Sequence, residues 1–319
     1  MTGATSGPAI GIDIGGTKIL GAVIDSHGTV LEEHRVPSPG GWNEIRASVT
    51  EVVAQLRQRF PSVVAVGVGA AGMVTMEGTI QYSPNVLGFR SAPVRSELES
   101  AFGLPVTVDN DANVAAYAEH RLGAARGATD AMVITLGTGI GGGIIVGGKM
   151  LRGAHGFAGE VGHFQIDPDG PMCACGERGH WEALASGSAL GRMGRAAVAS
   201  GDAPNILAAA DGDSDAIEGR HVSKAARAGA SDALTLIDHF CENVATGLVA
   251  LANIFDPTVI AIAGGLVNDK ELFIDPIRVH FVGHIEGADY RPIPAVVAAE
   301  LGENAGVIGA AIMALDACN

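Results

Sequence analysis

The stretch AIGIDIGGTKILGAVI, residues 9–24, decides the fold. An apolar run ends at Ile14, the small residues of 15–17 follow, and a second apolar run begins at Ile19. A nucleotide P-loop needs four residues before its Gly-Lys-Ser/Thr and a helix after it, and the glycine turn of a dinucleotide-binding domain also opens a helix. A strand follows the glycines here instead of a helix. The segment therefore predicts a strand–turn–strand hairpin, and not a P-loop or a dinucleotide-binding turn.

The same pattern returns in AMVITLGTGIGGGIIV, residues 131–146, where Gly137 lies 122 residues after Gly15. A strand–turn–strand unit that occurs twice indicates an internal duplication. A hairpin with a glycine tip presents bare backbone N–H groups to an anion. We therefore expect two such hairpins, facing each other across a cleft, to hold a polyphosphate, with Asp13 holding a water on the accompanying Mg²⁺. A pair of ordinary tight turns is the alternative.

The rest of the chain alternates predicted strands with predicted helices. In the first helix, apolar residues recur every three or four positions from Ile45 to Phe60, and in a long helix over 231–255 they run from Leu234 to Phe255. The remaining predicted elements are strands at 30–36, 63–69, 106–108 and 258–263 and helices at 111–122 and 305–315. This alternation is typical of an α/β protein.

Composition narrows the possible partners. Hydrophobic residues make up 47% of the 319 residues and the net charge is −15, which argues against nucleic acid or an anionic membrane as a partner. The N-terminus does not read as a signal peptide, and no apolar run is long enough to span a membrane. The four cysteines do not form a disulfide framework. We therefore expect a cytoplasmic protein.

Three short segments contain the candidate catalytic, substrate-binding and metal-binding residues. DNDAN, residues 109–113, follows a strand and opens a helix, where a carboxylate serves either as a general base or as a helix cap. GEVGH, residues 159–163, supplies Glu160 and His163, which are either ligands of a polar substrate or a surface glutamate and a packed histidine. MCACGERGHWE, residues 172–182, contains half of the cysteines and is a metal site, a redox pair or a turn.

The glycine segments carry a family resemblance. Residues 13–18, 136–142 and 263–266 resemble, in order and spacing, the nucleotide-binding segments of the actin-like sugar kinase fold. Within that fold the chain resembles the ROK family (repressors, sugar kinases and uncharacterised relatives) from about residue 9 to 315, and its bacterial ATP-dependent glucokinases most of all. The resemblance implies a duplicated α/β actin-like ATPase (ribonuclease H-like) fold with two lobes around a central cleft. The small lobe would comprise 1–117, completed by a helix at about 303–319, and the large lobe 118–302.

The resemblance also implies roles for single residues. Asp111 is implied as the catalytic base. The implied sugar-binding residues are Gly72, Asn85, Asn110, Asp111, Glu160, His163 and Glu182. The implied nucleotide-binding residues are Asp13, Gly15, Gly16, Thr17, Lys18, Gly137, Thr138, Gly139, Gly141, Gly264 and Gly265.

The cysteine segment is implied to hold a structural zinc ion. Relatives continue Cys-x-Cys-Gly-x-x-Gly with a third cysteine, and here that position is His180. Imidazole and thiolate are both ordinary zinc ligands, so we predict a zinc site in the segment 163–182 made by His163, Cys173, Cys175 and His180. The Cys-x-Cys spacing does not match the Cys-x-x-Cys of a redox pair. A metal-free turn is the alternative.

The implied activity is transfer of the γ-phosphoryl of ATP, with Mg²⁺, to the 6-hydroxyl of glucose. We expect a homodimer. Relatives that phosphorylate N-acetylmannosamine, N-acetylglucosamine, mannose or fructose share these motifs, and polyphosphate is an alternative donor. A sugar-sensing repressor of the same family is disfavoured, because only eight residues precede Ala9 and the chain is acidic. An actin-like ATPase without a sugar would leave Glu160, His163 and Glu182 unexplained.

Overall fold

The computed structural model describes residues 7–83, 86 and 88–319. The strands are β1 (Ala9–Ile14), β2 (Lys18–Ile24), β3 (Val30–Pro37), β4 (Ala65–Ala70), β5 (Met73–Val74), β6 (Ile80–Tyr82), β7 (Arg90–Ala92), β8 (Val106–Asn110), β9 (Ala131–Leu136), β10 (Ile140–Val146), β11 (Lys149–Met150), β12 (Val259–Ala263) and β13 (Ala295–Ala298). The helices are α1 (Trp42–Arg59), α2 (Val94–Phe102), α3 (Asp111–Leu122), α4 (Trp181–Ala185), α5 (Gly187–Ala199), α6 (Pro204–Ala209), α7 (Gly219–Arg227), α8 (Ser231–Phe255), α9 (Ile274–His284) and α10 (Ala305–Ala317).

Two five-stranded sheets have the same strand order. The first runs β3-β2-β1-β4-β8 and the second β11-β10-β9-β12-β13. In the first sheet β1 pairs antiparallel with β2 and parallel with β4, and in the second β12 lies parallel to both β9 and β13. The α/β class and the duplication predicted from the glycine hairpins are therefore confirmed. A third sheet, β5-β6-β7, is small and antiparallel and has no counterpart in the prediction.

The chain divides into two compact units. The first comprises Met1–Gly127, Gly143–Gly159 and Glu300–Asn319, and the second Ala128–Gly142 and Glu160–Ala299. The lobe boundaries expected from the sequence, 1–117 with 303–319 and 118–302, remain a prediction.

The core of the first unit is built by helices on its sheet. The predicted apolar face of α1 is buried from Ile45 to Leu56, and each such aliphatic side chain contributes about 1.5–3 kcal/mol by leaving water. α10 packs on β1 and β4 through Gly11 and Gly67, which pair with each other in the sheet. A Cβ at either glycine would overlap a backbone carbonyl of α10. Backbone therefore meets backbone here, and the helix lies very close to the sheet.

The second unit is organised around α8. Ile237, Val244 and Leu248 are fully or almost fully buried, as the periodicity predicts, but Leu234 is 42% exposed, so its place on the buried face was predicted wrongly. It lies in the first turn of the helix. Trp181 is fully buried and donates its indole N–H to the Asn243 carbonyl at 3.0 Å. Among the described residues, no helix is both long and apolar enough to cross a bilayer.

Candidate active site

In the first unit, the predicted phosphate turn lies at the tip of the β1–β2 hairpin. The Gly15 N–H donates to the Lys18 carbonyl at 3.0 Å, which closes the turn. Gly16 and Thr17 are exposed at its tip, so their backbone and hydroxyl groups can be reached by an anion. Lys18 opens β2 and is half-buried. The tip of this hairpin is therefore open to solvent.

Two carboxylates in the first unit influence each other. Burial first, and then the nearby Asp111, raise the pKa of Asp13 to about 6 from an ordinary value of 3.8, while Lys18 lowers it. Asp111 is exposed to solvent, yet the surrounding protein lies close enough to its carboxyl group that burial raises its pKa as well. Backbone N–H groups at the start of α3 oppose that rise. Acids whose pKa values are raised by burial and by a neighbouring charge are common in functional sites.

The DNDAN segment separates the cap from the candidate base. Asn110, not an aspartate, caps α3, because its Oδ1 accepts the N–H groups of Ala112 at 2.8 Å and Asn113 at 3.2 Å. The Asn110 amide also donates to the Gly72 carbonyl at 3.1 Å, so these two predicted sugar ligands lie side by side. Asp111 is the first helical residue, and its Oδ1 accepts the Ala112 N–H at 2.9 Å.

Asp109 is held by a basic side chain that sequence reasoning did not assign. Its Oδ2 accepts Nε of Arg152 at 2.8 Å and its Oδ1 accepts the Asn113 amide at 2.9 Å. Asp109 is almost fully buried and Arg152 partly so. The ion pair fixes the end of β8 and so positions Asp111 two residues later. Arg152 lies outside all the motifs, which explains why it was missed.

In the second unit, Glu182 holds the predicted phosphate turn between β9 and β10. The Ile140 N–H donates to Glu182 Oε2 at 2.8 Å, and a Cβ at Gly139 would overlap that carboxylate. The Gly137 N–H closes the turn on the Gly139 carbonyl at 3.0 Å. Gly137 and Thr138 are exposed. Glu182 therefore supports the turn, in addition to the sugar contact predicted for it.

The remaining predicted nucleotide residues flank the same turn. Gly141 donates its N–H to the Thr135 hydroxyl at 3.1 Å. Gly264 adopts φ 108°, where glycine is strongly preferred, and a Cβ there would overlap the Leu136 carbonyl. Gly265 begins the short 3-10 helix that follows β12.

A cavity of about 600 Å³ opens beside this turn, entirely within the second unit. Its walls include Gly137, Thr138 and Gly265, which the sequence predicted as nucleotide ligands. They also include residues that it did not predict: Ser188, Arg195, Glu218, Arg220, Ser223 and Phe273. The volume suits a small-molecule ligand of nucleotide size.

The four predicted zinc ligands lie together in the second unit. One ligand atom from each of His163, Cys173, Cys175 and His180 lies within 4.8 Å of the others. His163 Nδ1 is 3.8 Å from Cys173 Sγ, and His180 Nδ1 is 3.2 Å from Cys175 Sγ. Ligands around a tetrahedral zinc ion are about 3.4–3.8 Å apart, given its bond lengths of about 2.0–2.3 Å. The arrangement fits a Cys₂His₂ ion site.

The environment of Cys173 also bears on whether these four residues hold a metal ion. Burial is the main reason that the pKa of its thiol rises to about 11; the Cys175 backbone N–H opposes the rise, and the Cys175 thiol and the Glu182 carboxylate add to it. A cation bound here would hold the thiol as a thiolate. Cys173 Sγ also lies 3.7 Å from Glu182 Oε1, which links the cysteine segment to the glycine turn.

Glu160 and Asn85 are the remaining predicted sugar residues. Glu160 is exposed and precedes the short turn of 3-10 helix that carries His163. Asn85 lies outside the described residues.

The family follows from a match along almost the whole chain. Residues 9–317 match the model of the ROK family. The chain belongs to the ROK family. It is 42% identical over 311 residues to a glucokinase of Streptomyces coelicolor, covering 97% of this chain and 98% of that protein.

Solved ROK structures agree with the fold. A ROK family glucokinase from Streptomyces griseus, in complex with glucose and AMPPNP, superposes with a TM-score of 0.86 at 42% identity, covering 97% of this chain and all of that one. A ROK hexokinase from Thermus thermophilus superposes with a TM-score of 0.78 at 34% identity, covering 96% and 97% of the two chains. These matches confirm the predicted actin-like ATPase fold of this ROK protein.

One missed feature of the ROK protein did leave a signal in the sequence. Ser186-Gly187-Ser188 opens α5, and the Ser186 hydroxyl accepts the Ala189 N–H at 3.2 Å as an N-terminal cap. A small-residue segment at a helix N-terminus is a ready site for an anion. No comparable motif marks Glu218, Arg220 and Ser223 in the sequence. These residues reach the cavity because of the way α7 packs.

Proposed function

We propose that this ROK protein is an ATP-dependent glucokinase that transfers the γ-phosphoryl group of ATP to the 6-hydroxyl of glucose. The observation that carries the proposal is its 42% identity, over nearly the full length of both chains, to a glucokinase and to the glucokinase structure that contains glucose and AMPPNP. The predicted sugar, base and phosphate residues supply the chemistry that such a reaction needs.

Phosphoryl transfer to an alcohol needs a positioned carboxylate for the hydroxyl proton and donors for the phosphates. Asp111 is the proposed base: it opens α3, is accessible, and is not occupied as the helix cap. Gly72, Asn110, Glu160, His163 and Glu182 are the proposed sugar ligands, together with Asn85. Because a polar group left unpaired by the wrong sugar is costly, such a set discriminates among hexoses.

The donor side is proposed from the second unit, where the turn at Gly137–Gly139 borders the cavity of about 600 Å³. The turn at Gly15–Thr17 is the second proposed phosphate contact. Gly16 and Thr17 at its tip are open to an anion.

An ADP-release assay over a panel of hexoses tests the substrate. We expect kcat/KM for glucose to exceed the values for mannose, fructose, N-acetylglucosamine and N-acetylmannosamine. When the phosphorylated sugar is measured instead of ADP, ATP should be a better donor than polyphosphate. A higher kcat/KM for an N-acetylated hexosamine would replace glucose by that sugar and leave the kinase assignment standing. Absence of ADP release with every sugar would reject an ATP-dependent sugar kinase.

We also propose that Mg²⁺ accompanies ATP and that Asp13 holds it, through a bound water. The pair of acids fits a cation, because each carboxylate raises the cost of ionising the other and a divalent ion offsets that repulsion. Bound there, Mg²⁺ would neutralise phosphate charge. ATP should then raise the melting temperature only when Mg²⁺ is added. Equal protection without Mg²⁺ would contradict this assignment.

A structural zinc ion on His163, Cys173, Cys175 and His180 is proposed from their spacing. It would order the segment that carries His163 and precedes Glu182. Elemental analysis of the purified protein should find about one retained zinc per chain. His180→Ala should lose it and raise the KM of the sugar more than that of ATP, whereas His27→Ala, an exposed histidine elsewhere, should keep it. A fully active metal-free preparation would reject the site.

The quaternary structure is proposed to be a homodimer, on the family resemblance alone. Light scattering during size-exclusion chromatography measures the mass directly. A mass of one chain at assay concentration would reject the dimer.

A further inference from the structure

Two histidines and a carboxylate lie together where α8 packs against α9. His280 and His284 are one helical turn apart on α9, with ring planes 3° from parallel and centroids 6.4 Å apart. Glu242 projects from α8. One ligand atom from each of the three residues lies within 4.8 Å of the others. None of these residues belongs to the proposed zinc, sugar or nucleotide sites.

A fourth side chain orients one of the histidines. His280 Nε2 lies 2.9 Å from Oδ1 of Asp238, which precedes Glu242 by one turn of α8. The cluster therefore consists of two residue pairs at i, i+4 spacing on two packed helices. Residues at that spacing share one helix face, and a histidine pair so placed is a recurring zinc-binding arrangement.

The donor set selects a class of ion. Two imidazoles and a carboxylate suit zinc and its neighbours such as copper and nickel, whereas Mg²⁺ prefers oxygen ligands alone. A carboxylate that hydrogen-bonds a ligating histidine fixes the orientation of its ring, and Asp238 is placed to do this for His280. Glu242 and His280 are half-buried and His284 is exposed, so an ion can enter from solvent.

We propose that Glu242, His280 and His284 form a second transition-metal site, which takes Zn²⁺ and leaves a coordination position to water. The ion would tie α9 to α8. Because it has three protein ligands and no thiolate, it would bind less tightly than an ion on Cys173 and Cys175 and would exchange with solution.

The site is expected to affect stability rather than turnover. Phe273, which lines the cavity of the second unit, immediately precedes α9, and His284 ends that helix. Eleven residues of helix extend about 16 Å. An ion at the far end therefore strengthens the attachment of α9 without touching the cavity.

Metal titration of the full-length protein tests the proposal. The parent, with its retained zinc in place, should bind one further equivalent of Zn²⁺ in calorimetry, and the melting temperature should rise. In His284→Ala the affinity for that equivalent should fall at least about tenfold and the temperature rise should disappear. His27→Ala is the matched control and should behave as the parent. Asp238→Asn should weaken binding by about 10–100-fold, as loss of a partner of a ligating histidine does.

Two further measurements identify the ligands. Co²⁺ bound as the additional equivalent should show no thiolate-to-cobalt charge-transfer band, because no cysteine takes part; such a band would overturn the proposal. His239 Nδ1 lies 3.5 Å from Glu242 Oε2, so His239→Ala distinguishes a site confined to α8. Loss of binding in His239→Ala with full binding in His284→Ala would also overturn it, as would unchanged affinity and stoichiometry in His284→Ala. Hexose phosphorylation should be the same in the parent and in His284→Ala.

Discussion

At the scale of single residues, the site depends on which carboxylate is free. Asn110 caps α3 and Arg152 holds Asp109, so Asp111 is the acid of this segment left for catalysis. The sequence left the choice between base and cap open, because an aspartate at the start of a helix suits both roles. Because Asn110 is the cap of α3, Asp111 is not, and the role of Asp111 as the base can be tested.

Asp111→Asn should lower kcat by about 10²–10⁴-fold, the usual contribution of a general base, while glucose binding measured by calorimetry changes little. The amide keeps the shape and can still accept the Ala112 N–H, but it cannot accept a hydroxyl proton. Because burial raises the pKa of Asp111, kcat/KM of the parent should fall on the acid side at a pH above the ordinary aspartate value of 3.8. Turnover within about threefold of the parent would remove Asp111 from catalysis.

Asp13→Asn should stabilise the ligand-free protein and abolish its activity. The folded protein holds the Asp13 proton up to a pKa of about 6, whereas the unfolded chain releases it near 3.8. The native state therefore binds more protons between these values, and the free energy of unfolding falls as pH rises through that window. Each unit of pKa shift corresponds to about 1.4 kcal/mol, so we expect a gain of about 1–3 kcal/mol at neutral pH.

Urea unfolding at pH 5 and pH 8 measures this effect. The difference between Asp13→Asn and the parent should be larger at pH 8, where the parent carries the full cost of the buried charge. A variant less stable than the parent at pH 8 would show that ionised Asp13 stabilises the fold. Glu32→Gln, on β3, serves as a control for replacing a carboxylate by an amide in the same sheet.

At the scale of elements, the sequence predicted those whose pattern is long or repeated. The helices at 111–122 and 231–255 and the strands at 9–14 and 131–136 have the predicted bounds. The helices α2, α4 to α7 and α9, the strands β11 and β13 and the sheet β5-β6-β7 were not predicted. The helices α4 to α7 are rich in alanine, glycine and serine, and the strands β5 to β7 have only two or three residues each. Packing against α8 or β8 rather than periodicity therefore sets the place of these helices and strands.

Two glycines of the β9–β10 turn have different roles: Gly139 faces Glu182, and Gly137 faces open space. A Cβ at Gly139 would overlap the Glu182 carboxylate, whereas a Cβ at Gly137 would have no described atom within 4 Å. Gly139→Ala should therefore lower the melting temperature, because the bond between the Ile140 N–H and Glu182 is displaced. Gly137→Ala should keep the melting temperature and weaken ATP binding, since the methyl group lies where phosphate approaches bare backbone.

Thermal unfolding and ATP titration of both variants separate these effects. If Gly137→Ala binds ATP as tightly as the parent, the phosphates contact another part of the chain. If Gly139→Ala unfolds at the parent temperature, Glu182 moves aside at no cost and does not support the turn.

At the scale of the whole molecule, the duplicated sheets are completed by distant parts of the chain. α10 packs on the first sheet although it follows the entire second unit in sequence. Apolar periodicity predicted this helix, but its almost uniformly buried residues do not say which sheet it covers. The glycines of β1 and β4 determine which sheet α10 covers, because they allow the backbone of a helix to approach to van der Waals distance.

Gly67→Ala tests whether α10 packs this closely on β4. The added methyl group would overlap the Ala310 carbonyl oxygen, which belongs to the backbone of α10 and cannot rotate away. Overpacking of this kind costs about 1–3 kcal/mol, occasionally more, and urea unfolding should show that loss. Gly40→Ala is the control, since a Cβ there would have no described atom within 4 Å. Equal stability of the two variants would mean that α10 does not lie against β4. A loss confined to Gly67→Ala would show that the first unit depends on a helix supplied from the other end of the chain.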